Sequence, residues 1–200
     1  MTEVRKILFA LAVAVTLGWI AASTASAQVV FFAGTSGARP LRFEGLTEAT
    51  GTVVLSSTSA GTIGGAALPA GGSQIIFDYG TPVLSSGDSA PPNVLLPCSG
   101  TVGLTLGGVF QIASNFIVKS CVGSTVILTF IANAACGGYC TITLSGVRVN
   151  ANFLGAGASV SVSLSVISTN QVTNPITFST LGALVVGTVQ AAPSTTVFKP

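Results

Sequence analysis

Residues 159–166 read SVSVSLSV, polar and apolar side chains alternating without a fault. A strand places successive side chains on opposite faces, so this period of two puts Val160, Val162, Leu164 and Val166 on one buried face and four serines on the other. The same signal recurs along the chain as short β-branched or aromatic runs separated by Gly, Pro, Ser and Asn. The runs are QVVFFAG, GTVVLSST, SQIIFDYG, GTVGLTL, VFQIASNFIVKS, STVILTFIA, CTITLSGVRVNANF, ASVSVSLSVIST, NPITFST and ALVVGTVQ. After residue 27 no segment sustains helical periodicity, and Gly and β-branched residues depress helix propensity nearly everywhere. The expectation is an all-β single domain, a β-sandwich or jelly-roll-like fold over residues 28–192 with a short tail at 193–200. SSGDSAPPN (85–93) is the strongest internal loop, but composition does not shift across it, which favours one domain.

The first 27 residues have a different character. Arg5 and Lys6 precede an apolar run from Ile7 to Ala22, and Ala25 and Ala27 supply small residues for cleavage. This is the layout of a secretory signal peptide, with Gln28 expected to begin a mature chain of 173 residues. No later apolar run is long enough to span a membrane as a helix. An outer-membrane barrel would show aromatic girdles. The sole tryptophan, Trp19, lies in the leader, and Tyr79 and Tyr139 are the only tyrosines.

Charge is scarce. The mature chain carries Arg39, Arg42, Lys119, Arg148 and Lys199 against Glu44, Glu48, Asp78 and Asp88, a net of +1. Five scattered cations make no basic patch, so no nucleic-acid partner is expected. The apolar-rich composition is the reverse of a disordered chain's. With little repulsion between copies, self-association is the expected risk of such a surface.

The residues argue against catalysis. There is no histidine, which removes the commonest general base and the commonest neutral metal ligand. Gly87-Asp88-Ser89 superficially matches a serine-protease nucleophile region, yet without histidine it reads as a turn. Glu44 and Glu48 would stand roughly 13 Å apart on one extended strand, beyond the spacing that glycosidase carboxylates use. No calcium loop, phosphate loop or dinucleotide fingerprint is present, and GTSGARP and GAGAS read as turns. Neither a cofactor nor a metal is expected.

Four cysteines remain, Cys98, Cys121, Cys136 and Cys140. In an exported chain an even count implies disulfides, with three pairings open, and the spacing lacks the C-x2-C knuckles of a zinc site. Gly137-Gly138-Tyr139 has the length of a three-residue hairpin loop between two strand-like runs, which would set Cys136 opposite Cys140 on its first rung. Cys98 and Cys121 are then left for each other. Beyond this turn the alternation shifts phase, Ile142 and Leu144 against Val147, Val149, Ala151 and Phe153. A β-bulge at Ser145-Gly146 is expected to return both groups to the core and to turn Arg148, Asn150 and Asn152 outward.

In RFEGLTEATGTVVLSS, LSGVRVNANFLGAG and NPITFSTLGALVVGTVQ the chain resembles a family of uncharacterised secreted bacterial β-rich proteins that share an EG-x-TE opening and a VR-x-NA segment. The resemblance implies export and a β-rich fold. It supplies no activity and no site residues, and the cysteine placement here departs from that family. Together these features lead to the expectation of an exported non-enzymatic structural or surface-interaction protein, self-assembling through strand edges. A monomeric secreted module that binds a glycan or small ligand near Tyr79 or Tyr139, on a cell surface or in solution, is the alternative.

Overall fold

The computed structural model describes residues 28–43, 47–67, 72–84, 98–168, 176–179 and 182–191. The expected signal peptide (1–27), the tail (193–200), Glu44 and the SSGDSAPPN loop with Asp88 lie outside the described residues. In chain order the strands are β1 (Val29–Thr35), β2 (Arg39–Arg42), β3 (Glu48–Ala49), β4 (Val53–Ser57), β5 (Thr62–Ile63) and β6 (Gln74–Asp78). There follow β7 (Thr101–Leu106), β8 (Val109–Gln111), β9 (Ile117–Val122), β10 (Thr125–Phe130) and β11 (Ala134–Ala135). The last five are β12 (Cys140–Ser145), β13 (Arg148–Val149), β14 (Ser159–Ile167), β15 (Ile176–Phe178) and β16 (Leu184–Gln190). The fold is all-β.

Twelve of these strands make two six-stranded sheets, ordered β15-β1-β4-β12-β7-β8 and β2-β16-β14-β6-β10-β9. Pairing is antiparallel except at β1–β15 and β16–β2, where the chain returns alongside an earlier strand in the same direction. Phe31, Leu55, Leu104, Ile142 and Leu144 of the first sheet share one buried cluster with Ile75, Phe77, Val126, Leu128 and Val162 of the second. The arrangement is a sandwich filled by the inner faces of both sheets. Only β7–β8 and β9–β10 are neighbours in both chain and sheet; most other connections carry the chain across to the opposite layer.

The alternation of β14 behaves as its sequence dictates at its start and loosens toward its end. Val160 and Val162 are buried, Leu164 and Val166 pack half-exposed against the core, and Ser159, Ser163 and Ser165 face outward. The β7–β8 hairpin turns on Gly107 and Gly108, with φ of 56° and 79°. Positive φ at both central residues is the type I′ requirement, which glycine meets without steric cost.

Three expectations are corrected. VFQIASNFIVKS is not one strand: a 3₁₀ turn at Ala113–Asn115 divides it, sending β8 to the first sheet and β9 to the second. The runs flanking Gly137-Gly138-Tyr139 do not form a hairpin, because β10 belongs to the second sheet and β12 to the first. The short β11 leaves β10 to pair with β5 instead. Finally, Ser145-Gly146 is no bulge within a strand. It ends β12, Gly146 adopts a φ of 67°, and β13 pairs with β3 in a separate two-stranded sheet. Val147, Val149 and Ala151 are buried as expected, but Phe153 is 72% exposed. The Asn150 side chain accepts from the Asn152 backbone N–H and starts a 3₁₀ turn at Ala151–Phe153, which breaks the period of two before it reaches Phe153.

Phe77 sits fully buried on β6, between β14 and β10. Phe77→Ala is expected to cost about 3–5 kcal/mol, read as a lower urea midpoint for the oxidised protein.

Candidate functional site

The structure joins Cys136 to Cys140 and Cys98 to Cys121, with Cα separations of 5.2 and 5.3 Å. Their positions explain their use. Cys136 and Cys140 flank the turn on which the chain arrives in the first sheet, where Cys140 lies between Ser57 and Leu106. The Gly138 N–H donates to the Cys136 carbonyl within the turn. Cys98 precedes β7 of the first sheet and Cys121 lies on β9, the edge of the second, so this bridge ties the two layers together along one open side.

Lys119 reinforces the same closure. It shares the inner face of β9 with Ile117 and Cys121, both buried, and its Nζ donates to the Ser99 carbonyl at 3.2 Å and to the Gly100 carbonyl. Burial lowers the affinity of this ammonium for its proton below the ordinary lysine value. A cation facing inward on an edge strand also obstructs another strand from docking there.

Three patches of sequence, within residues 42–57, 144–157 and 174–190, are joined through their backbones. Glu48 pairs with Val149 and Ala49 with Arg148 across β3–β13. The Thr50 N–H donates to the Val147 carbonyl at 2.9 Å, and the Gly51 N–H to the Val186 carbonyl at 2.7 Å. A Cβ at Gly51 would stand 2.3 Å from the Gly37 carbonyl oxygen, so only glycine fits that crossing. Arg148 is exposed, and its guanidinium donates to the Thr47 carbonyl at 3.2 Å while its backbone N–H donates to Ser99 Oγ at 2.8 Å. These patches are joints of the framework.

Tyr79 is sealed against this joint, 2% exposed, which corrects the expectation of a ligand pocket presenting its phenol. Burial raises the phenol well above the ordinary tyrosine value of 10.0. The Thr50 hydroxyl gives its own proton to the Val147 carbonyl at 3.1 Å, and no group meets Tyr79 Oη in hydrogen-bonding geometry. Tyr139, by contrast, is 48% exposed at the Gly-Gly-Tyr turn.

Glu48 is half-buried on β3, and Asp78 Oδ1 accepts from the Gly80 N–H at 3.0 Å and from Ser124 Oγ at 2.8 Å, which makes it a turn-former. Among the described residues no group of three His, Cys, Asp or Glu side chains is placed to hold a metal ion, and no helix is long and apolar enough to cross a membrane.

The sandwich has four strand edges, and they differ in chemistry. On β2, Arg39, Pro40 and Arg42 are exposed; on β9, Lys119 faces inward; β15 is three residues long. The fourth edge, β8, carries Val109 and Phe110, 61% and 75% exposed, and leads into the exposed Ile112. No charge stands on it. Phe110 also ends a single rung that runs Phe32, Ser56, Thr141, Thr105, Phe110 across the outer face of the first sheet. In the sequence this edge is hidden, because VFQIASNFIVKS looks like one continuous strand; Asn115 before Phe116 is the local sign of its break. No protein-family model and no curated protein matches the chain.

Two predictions follow from this geometry. On the chain-entropy argument, the Cys98→Ala/Cys121→Ala pair loses about 3.5 kcal/mol and the Cys136→Ala/Cys140→Ala pair about 2, measured by urea unfolding. Because the folded phenol of Tyr79 titrates above 10.0, its contribution to stability is full below that pH and is lost as pH rises beyond it. Tyr79→Phe removes the unpartnered hydroxyl. It is expected to leave neutral-pH stability unchanged or raised by up to about 1 kcal/mol, and to flatten the alkaline limb of a Tm-against-pH profile.

Proposed function

We propose that this is an exported, non-enzymatic structural or surface-interaction protein, cleaved after Ala27 and assembling with copies of itself through the β8 edge. One observation carries the reading. Cations stand on the β2 and β9 edges and the side chains of β15 are buried or half-buried, while β8 offers uncharged backbone flanked by exposed Val109, Phe110 and Ile112. Edge strands left without charge are templates for pairing with another chain. Addition of a strand from a second copy satisfies the free backbone groups and covers Phe110 together. The two disulfides and the absence of a long apolar helix among the described residues are compatible with an extracellular setting.

A second reading draws on the Phe32-to-Phe110 rung. Ser56 and Thr105, with the buried Thr141 hydroxyl between them, separate two exposed phenylalanines over roughly 19 Å at the usual strand spacing, a surface suited to a neutral glycan on a cell surface or in solution. On this reading the protein works as a monomer.

Sedimentation velocity and negative-stain microscopy over a concentration series separate the two. Self-assembly predicts concentration-dependent oligomers for the native chain and monomers for Phe110→Lys with both disulfides intact, whereas Phe32→Ala still assembles. A native protein that stays monomeric throughout overturns assembly, and undiminished assembly by Phe110→Lys removes β8 as its site. Loss of glycan retention in both Phe variants of a monomeric protein supports the second reading.

A further inference from the structure

The ladder of the first sheet opens at Val29↔Ile176, with Val29 fully buried. Gln28 stands one residue before that rung, exposed, and its side-chain Nε2 donates to Thr177 Oγ1 of β15 at 2.9 Å. On the export reading proposed above, on which this inference rests, cleavage after Ala27 makes Gln28 the first residue of the mature chain. A glutamine in that position holds a nucleophile and an electrophile in one side chain's reach. Its α-nitrogen and Cδ are separated by three carbons, so bonding between them closes a five-membered ring.

We propose that Gln28 is a modification site, which closes to pyroglutamate after export. The α-amine, in its unprotonated form, attacks Cδ; the N–Cδ bond forms, the Cδ–Nε2 bond breaks, and Nε2 leaves as ammonia with the proton that the α-nitrogen gives up. Nothing is oxidised or reduced, and no co-reactant is needed. An α-amine titrates at about 7.7–8.0, so part of it is reactive at neutral pH and the closure quickens as pH rises through that range.

The fold accommodates the product without rearrangement. Because the ladder begins at Val29, a ring at residue 28 removes no strand hydrogen bond. Gln28 is exposed, so ring closure displaces no packed neighbour. The Thr177 hydroxyl accepts from Nε2 in the open form and has a proton to donate to the lactam carbonyl in the closed one. The closed terminus is uncharged. An α-ammonium would otherwise sit beside a strand start whose first side chain is wholly buried, next to the uncharged strand β15.

Intact mass and terminal fragmentation of the full chain recovered after export test the site. The expected species begins at residue 28, is lighter by one ammonia than the open-glutamine chain, and resists a general aminopeptidase until a pyroglutamyl-specific one has acted. Gln28→Glu is expected to keep its full mass and a free amine under the same conditions. A chain beginning at Gln28 that retains its ammonia after prolonged incubation at mildly alkaline pH overturns the cyclisation and leaves export standing. A start at any other residue after the leader overturns the site alone, and a mass that keeps residues 1–27 overturns both the export reading and the site.

Discussion

The contact between two apolar sheet faces is the constraint on which everything else rests, and this chain makes it in a demanding way. The strands that pair within a sheet are seldom neighbours in sequence, because nearly every connection carries the chain from one layer to the other. Each layer is therefore completed only when distant segments arrive: β1 waits for β15, and β2 for β16. Long loops must be closed before such contacts contribute, which places the entropic cost of the fold early and its reward late. The covalent links sit where that cost falls, one at an entry to the first sheet and one between the layers.

The scarcity of charge gains meaning from this architecture. In a charge-rich domain, cations near strand edges would be unremarkable. Here Arg39 and Arg42 lie on one edge strand and Lys119 on another, whose ammonium is spent on the carbonyls of Ser99 and Gly100. Edge protection is uneven: neither β15 nor β8 bears a charge, and of the two β8 leaves its apolar side chains exposed. A strand of three residues limits how much any partner can pair, so Phe110 on it and Ile112 just beyond it matter as much as its backbone.

The sequence disclosed elements well and neighbours poorly. The period of two in SVSVSLSV and in GTVVLSST is a property of the strand itself, so β14 and β4 are visible in one dimension. Which sheet a strand joins is not local. The run from Ser124 to Phe153 resembles a hairpin because both arms are apolar and a glycine turn lies between them, yet the partners of each arm come from elsewhere. The short β2, β3 and β11 carry no β-branched residue and owe their form to the strands beside them. Phe153 shows the same limit in miniature, since one hydrogen bond accepted by the Asn150 side chain overrides the pattern that surrounds it. Tyr79 is invisible to composition as a core residue, because a phenol in sequence looks like a handle until its surroundings are known.

The separation of four residues between Cys136 and Cys140 has a consequence for how the protein matures. Four thiols admit three pairings, and both of the others require Cys136 or Cys140 to find a distant partner. The nearest pair closes first on entropic grounds, since a short loop meets itself far more often than a long one. Once it has closed, Cys98 has a single thiol left to meet. The local clip thereby acts as a proofreader of oxidation, reducing a choice among three covalent isomers to one before the two layers have been joined.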